Sequence, residues 1–298
     1  MASIAISPLT LFAGQGRARD RRRELDSAGS MVAIAHFIAI SCYIGAAALA
    51  AAPFVRPVQA PVRPVVGALA AGVGVHVLAL VGLARQAGAM PVTGLGPALS
   101  FGALLLAATL LVVEFAAREV SLTLAAAPLA AFTTVAANLL GLHPLLEPTG
   151  TRLVWLVAHV ALSFLGIAAF GTAAAAGTMY LAQRRELKMR RFGAIFRVFP
   201  PLDTLDRVNH LAAVAGWLGL TLGIVLAVAY SMTYRGVDAA KIVWGLAAWV
   251  AVTSVAVGRL VGGWQARRAA IASSVTFAFV VALYVVFRLA GFGGGQFL

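Results

Sequence analysis

Residues 153–182 read LVWLVAHVALSFLGIAAFGTAAAAGTMYLA, and residues 183–197 continue QRRELKMRRFGAIFR. The first segment is apolar apart from small polar residues, Tyr180 near its inner end and one imidazole in its outer half, His159. Roughly 20 such residues, at about 1.5 Å each, cross a hydrocarbon core of about 30 Å. The second segment is the most basic stretch between any two apolar runs of the chain. A Pro200-Pro201 turn follows, and the next apolar run opens with a second histidine, His210. Two imidazoles on consecutive membrane spans, divided by a cationic connection, organise the reading of everything else.

The same grammar repeats along the chain. Apolar runs lie at about 31–52, 65–86, 97–116, 120–141, 153–182, 209–231, 242–259 and 269–290. Short connections such as PFVRPVQAPVRP and HPLLEPTGT separate them. The 298 residues are 61% hydrophobic and 11% charged, with mean hydropathy +0.94. A soluble domain carries about 25% charged residues. The expected fold is therefore an all-α polytopic bundle of about eight transmembrane helices. Gly219 and Gly223 form a small-xxx-small pair, and Gly166, Gly171 and Gly177 thin the fifth span. These glycines are read as packing sites, because small residues let helices approach where lipid offers no competing hydrophobic drive.

The net charge of +13 follows topology rather than nucleic-acid binding, since most Arg residues sit in short connections between apolar runs. The connections after spans one, three, five and seven hold 13 Lys and Arg, against 5 in the other connections and the C-terminal stretch. The first set is expected on the cytoplasmic side. Eight spans then put both ends of the bundle outside, where Arg17, Arg19, Arg21, Arg22 and Arg23 would be misplaced. The sequence accordingly divides into a polar, Arg-rich extension at 1–30 and a transmembrane domain at 31–298; the charges are reconciled by translation starting at Met31, the preferred expectation, by a ninth element, or by a different span count. The one cysteine, Cys42, lies in an apolar run. That excludes a disulfide framework, a Cys-based metal cluster and covalent haem attachment through a C-x-x-C-H motif.

Five histidines remain as candidates: His36, His76, His143, His159 and His210. His143 falls in an outer connection, and His36 near the start of the first span, where an interfacial ring is ordinary. His76, His159 and His210 lie within spans, and an ionisable residue there is costly and usually turned to the bundle interior. The expected site pairs His76 of the second span with His210 of the sixth in the inner half of the bilayer. Neutral imidazoles are standard axial ligands of haem iron, and two helices can supply one each. His159 stands near the outer end of the fifth span with Trp155 one turn before it, where the indole could stack on a porphyrin or, as is more usual, anchor the helix at the interface. Arg207, three residues before His210, suits the anionic propionates. A zinc site is less consistent, because no Cys, Asp or Glu accompanies these histidines.

At this point the stretches LVAHVALSFLGIAAFGTAAAAGTMYLAQRRELK, PPLDTLDRVNHLAAVAGWLGLTLGI and WGLAAWVAVTSVAVGRLVGGWQARRAA resemble the cytochrome c assembly proteins of the CcsA type, nearest the YpjD and HemX-like branch. The likeness runs over residues 31–290 and is strongest in the last four spans. It implies an eight-helix bacterial inner-membrane protein whose transmembrane histidines, here His76 and His210, hold haem b non-covalently. It also implies an outward pair of histidines flanking a tryptophan-rich WWD segment, of which His159 matches the first. The connection YSMTYRGVDAAK carries no WWD. The second outward histidine would fall near Gly258, beside Arg259, and is missing. Gly263-Trp264-Gln265-Ala266-Arg267-Arg268 matches a terminal motif of the family in part. The expected function is a haem-binding accessory of cytochrome c biogenesis, with lipid, haem and other biogenesis proteins as partners.

Other classes fit less well. A HemX-like regulatory or scaffolding protein of tetrapyrrole metabolism, without haem, would use the basic connection 184–197 to dock a cytosolic partner. A transporter would show inverted repeats or broken helices, which the sequence lacks; Glu114 and Arg288 lie near span ends and are read as snorkelling. An enzyme is not expected, since no catalytic spacing falls on a common face. Asp206 is read as an N-terminal residue of the sixth span.

Overall fold

The computed structural model describes residues 8–56, 61–88, 90–117, 121–143, 150–190, 193–234 and 239–289. Among the described residues the chain is helical: α1 (Pro8–Val55), α2 (Val62–Ala87), α3 (Leu95–Ala117), α4 (Thr123–Leu139), α5 (Thr151–Lys188), α6 (Ala194–Val198), α7 (Leu202–Thr233), α8 (Ala239–Leu260) and α9 (Ala266–Leu289). Seven of these carry stretches long and apolar enough to cross a membrane; in α1 that stretch is Gly29–Val55. The eighth apolar helix, α4, has 17 residues and holds Pro128. At about 1.5 Å per residue it reaches about 26 Å, slightly less than a hydrocarbon core of about 30 Å. The chain is thus a multi-pass helical membrane protein.

Two groups of helices meet side by side. In the first, α1 packs on α2 and α4, and α3 on α4 and α2; in the second, α5 packs on α7 and α9, and α8 on α7 and α9. The contact of α3 with α5 joins the groups. The tightest seam is α5 against α7, and its glycines explain it. A Cβ on Gly166 would come within 2.6 Å of the Leu220 backbone nitrogen, and one on Gly219 within 2.9 Å of the Gly166 Cα. The backbones touch there, so dispersion contacts replace the hydrophobic drive that lipid cannot supply. Gly177 plays the same part against Ala270 of α9.

Two expectations about the central connection are revised. The helix α5 runs on to Lys188 and carries Arg184 and Arg185, so half of the basic stretch is helical extension rather than loop. The helix α7 starts at Leu202, directly after Pro201 with its extended ψ of 148°. His210 therefore lies two turns inside a helix rather than at its opening.

Candidate functional site

The most polar buried cluster lies where α1, α2 and α3 meet. His36, His76 and Ser100 are fully buried, as is Tyr43. His36 Nδ1 donates to the Val32 carbonyl at 2.9 Å. His36 Nε2 and His76 Nε2 each lie 2.9 Å from Ser100 Oγ. Tyr43 Oη lies 3.1 Å from His76 Nδ1. The two imidazole centroids are 5.3 Å apart, edge to face.

The donors in this chain follow from counting protons. A carbonyl only accepts, so His36 carries its proton on Nδ1, and in the neutral ring Nε2 must accept. Only the Ser100 hydroxyl can donate to it. That spends the single Ser100 proton, so Ser100 Oγ accepts from His76 Nε2–H. His76 Nδ1 is then an acceptor and takes the Tyr43 hydroxyl proton. One direction satisfies every group, running Tyr43, His76, Ser100, His36, Val32. A buried polar chain with each member paired is the arrangement that hydrocarbon tolerates.

His76 and His210 are not brought together. The helix α2 packs on α1 and α3, whereas α7 packs on α5, α8 and α9. Depth separates them as well. Gly102 of α3 meets the Phe164 ring of α5, while Asn209 of α7 donates to the Ala173 carbonyl of α5. Those α5 positions differ by nine residues, about 14 Å at about 1.5 Å each. His210 thus lies deep toward the cytoplasmic end implied by the charge distribution, and His76 in the outer half. The expectation of an inner-half His76/His210 pair is corrected: His76 faces His36, which lies buried in the bundle rather than at an interface. The signal that could have found it was the spacing of His36 and Tyr43, seven residues apart on one helical face.

His159 is half-buried on α5, and its Nδ1 donates to the Gly223 carbonyl of α7 at 2.8 Å. That bond fixes the tautomer and leaves the Nε2 lone pair unengaged by the carbonyl, the state a metal ligand requires. Trp155 is half-buried one turn before it. Arg152, two turns before His159, lays its guanidinium 4.4 Å from the Tyr234 ring centroid. Arg207 is exposed at the opposite, inner end of α7. It cannot serve a group held by His159, whereas Arg152 shares the same rim; this cation was missed in the sequence.

The inner end has its own polar cluster. Arg259 of α8 pairs with the Asp206 carboxylate at 2.6 Å and also donates to the Asp206 carbonyl at 2.9 Å. Asn209, beside His210 in sequence, ties α7 to Ala173 and Ser273. Asp206 is thus an ion-pair partner rather than only a helix-start residue. Gly258 lies at this same inner end against the Trp264 indole, so the position aligned with a second outward histidine does not reach the outer face. Glu114 does not snorkel; it is buried and accepts from the backbone N–H and the hydroxyl of Thr123, closing the start of α4. Arg288 and residues 191–192 of the basic connection have side chains outside the described residues.

Fit to haem differs between the sites. Rings 5.3 Å apart, with a serine hydroxyl against both Nε2 atoms, leave no room for a macrocycle between His36 and His76. His159, half-buried and with Nε2 left as the lone-pair nitrogen by the Nδ1–H bond, fits a residue that would hold haem, with Trp155 one turn and Arg152 two turns before it on α5. Among the described residues no group of three or more His, Cys, Asp or Glu could hold a bare metal ion.

The fold and these sites define a polytopic membrane protein with imidazoles set at two depths of a helical bundle. A family model described as cytochrome C assembly protein matches residues 62–293, and the chain belongs to that family. The match takes in His76, Ser100, His159 and His210 but not His36 or Tyr43. No curated protein matches the chain. Family membership supports a role in cytochrome c biogenesis.

Proposed function

We propose that the chain is a non-enzymatic haem-handling accessory of cytochrome c biogenesis in a bacterial inner membrane, of the YpjD and HemX-like branch. On this reading it holds haem b non-covalently in the outer half through His159. The observation that carries the proposal is the Nδ1–H bond from His159 to the Gly223 carbonyl, which presets Nε2 as a ligand. Trp155 offers its ring beside the imidazole, and Arg152 its charge to the propionates. When bound, haem would supply the iron centre that is passed on to an apocytochrome. The Gly223 carbonyl holds the imidazole orientation, and α7 positions that carbonyl through its close seam with α5. The lack of a WWD segment and the short connection after α7 support a carrier or relay rather than the full synthase.

His76 enters this reading as a structural group tying α2 to α1 and α3, and His210 as a half-buried residue of the inner end of α7. The test is absorption spectroscopy of the detergent-purified protein loaded with haem. A Soret band is expected to be lost in His159→Ala, restored in His159→Gly by added imidazole, and retained in His210→Ala. A band that survives His159→Ala and disappears in a His76→Ala/His210→Ala variant of intact fold would overturn it.

A further inference from the structure

We propose that the groove between α8 and α9 at the inner end of the bundle is a binding site for an anionic phospholipid. Its headgroup phosphate would lie at Arg268 and Arg267, and an acyl chain would fill the apolar lining. The inference is independent of the haem reading.

The groove encloses about 360 Å³ and is lined by Val255 of α8 and by Ile271, Ala272 and Val275 of α9, with Trp264 and Arg268 at one end. The walls continue into exposed apolar surface: Val261 is 82% exposed, Val275 62% and Leu260 51%. Such a surface on a membrane span faces lipid, so the occupant that the surroundings supply is an acyl chain. A soluble partner would have to displace lipid from it.

The end of the groove is built rather than incidental. The Trp264 backbone N–H donates to the Gly258 carbonyl at 3.0 Å, closing the turn after α8. A Cβ at Gly258 would stand 2.5 Å from the indole, so only glycine admits the ring there. The indole is thereby pinned at the interfacial depth where tryptophan is favoured. The Arg268 guanidinium lies 5.6 Å from the centroid of that ring. Arg259 spends its charge on Asp206. Arg267 and Arg268 are exposed, and no carboxylate pairs with either among the described residues. A phosphate is complementary to two such guanidinia. The loop charges put this end on the cytoplasmic side, whose leaflet is the anionic one.

The test uses the pinned indole as reporter. The full chain in detergent micelles is titrated with phosphatidylglycerol or phosphatidylcholine carrying brominated acyl chains. Fluorescence of a Trp264→Phe protein is subtracted to isolate Trp264 from the other tryptophans. Brominated phosphatidylglycerol is expected to quench Trp264 at a lower mole fraction than phosphatidylcholine, by about fivefold for each arginine engaged. Arg267→Gln/Arg268→Gln should abolish the difference while quenching by either lipid persists. Arg267→Lys/Arg268→Lys should retain most of it, which separates lost charge from a lost fold. Equal quenching by the two lipids, or a preference that survives the double Gln change, overturns the proposal. So does relief of the quenching by inorganic phosphate, which would mean an anion site with no lipid in it.

Discussion

Replacing Ser100 with alanine removes one hydroxyl and breaks two bonds, those to His36 Nε2 and His76 Nε2. Both rings are fully buried, so water cannot take over. An orphaned buried polar group costs about 1–3 kcal/mol, although single interhelical bonds in a bilayer average only about 0.6 kcal/mol and reach about 1.7. Two nitrogens orphaned together should therefore destabilise the fold by about 2–3 kcal/mol. The assay is equilibrium unfolding in mixed dodecyl sulfate and mild-detergent micelles, followed by loss of helix. The sharper form is a cycle with His36→Leu. Once the His36 ring is gone, Ser100→Ala orphans only His76, so the combined loss should fall short of the sum of the single losses by about 1 kcal/mol or more. A Ser100→Ala loss below about 0.5 kcal/mol, or strict additivity in the cycle, would refute the directional chain from Tyr43 to Val32.

Three further outcomes follow from the packing. Asp206→Ala leaves the Arg259 guanidinium, 6% exposed, without its carboxylate; since Asp206 is a third exposed, the loss should be about 2–3 kcal/mol, and Asp206→Ala/Arg259→Leu should recover most of it in the same unfolding assay. Glu114→Ala strips Thr123 of the acceptor for both its donors and should cost about 2 kcal/mol, while Glu114→Gln, which keeps a carbonyl oxygen there, should cost less than half of that. Gly166→Val drives a side chain into the α7 backbone, where a Cβ already stands 2.6 Å from Leu220 N. It should abolish a monodisperse peak in size-exclusion chromatography, whereas Gly45→Val, with nothing within 4 Å, should leave it unchanged.

The apolar runs by themselves determined that this chain is a membrane bundle, about how many helices cross, and where most of them lie. That was legible because a bilayer imposes a length and an apolar composition on each span independently of its neighbours. The glycines of the α5–α7 seam were legible for a related reason: close approach in lipid needs small residues whatever the partner. Ends were less so, because the basic residues after span five and the PPLDTLDRVN segment belong to helices that project beyond the apolar stretch. Which histidine meets which was settled only by tertiary structure. His36 looked interfacial and His76 looked like a partner of His210, because hydropathy gives depth along one helix and says nothing of rotation about it or of which helices are neighbours. The packing of α1 against α2 and α3, and of α7 against α5, α8 and α9, put Ser100 between His36 and His76 and left His210 among the residues of the inner end.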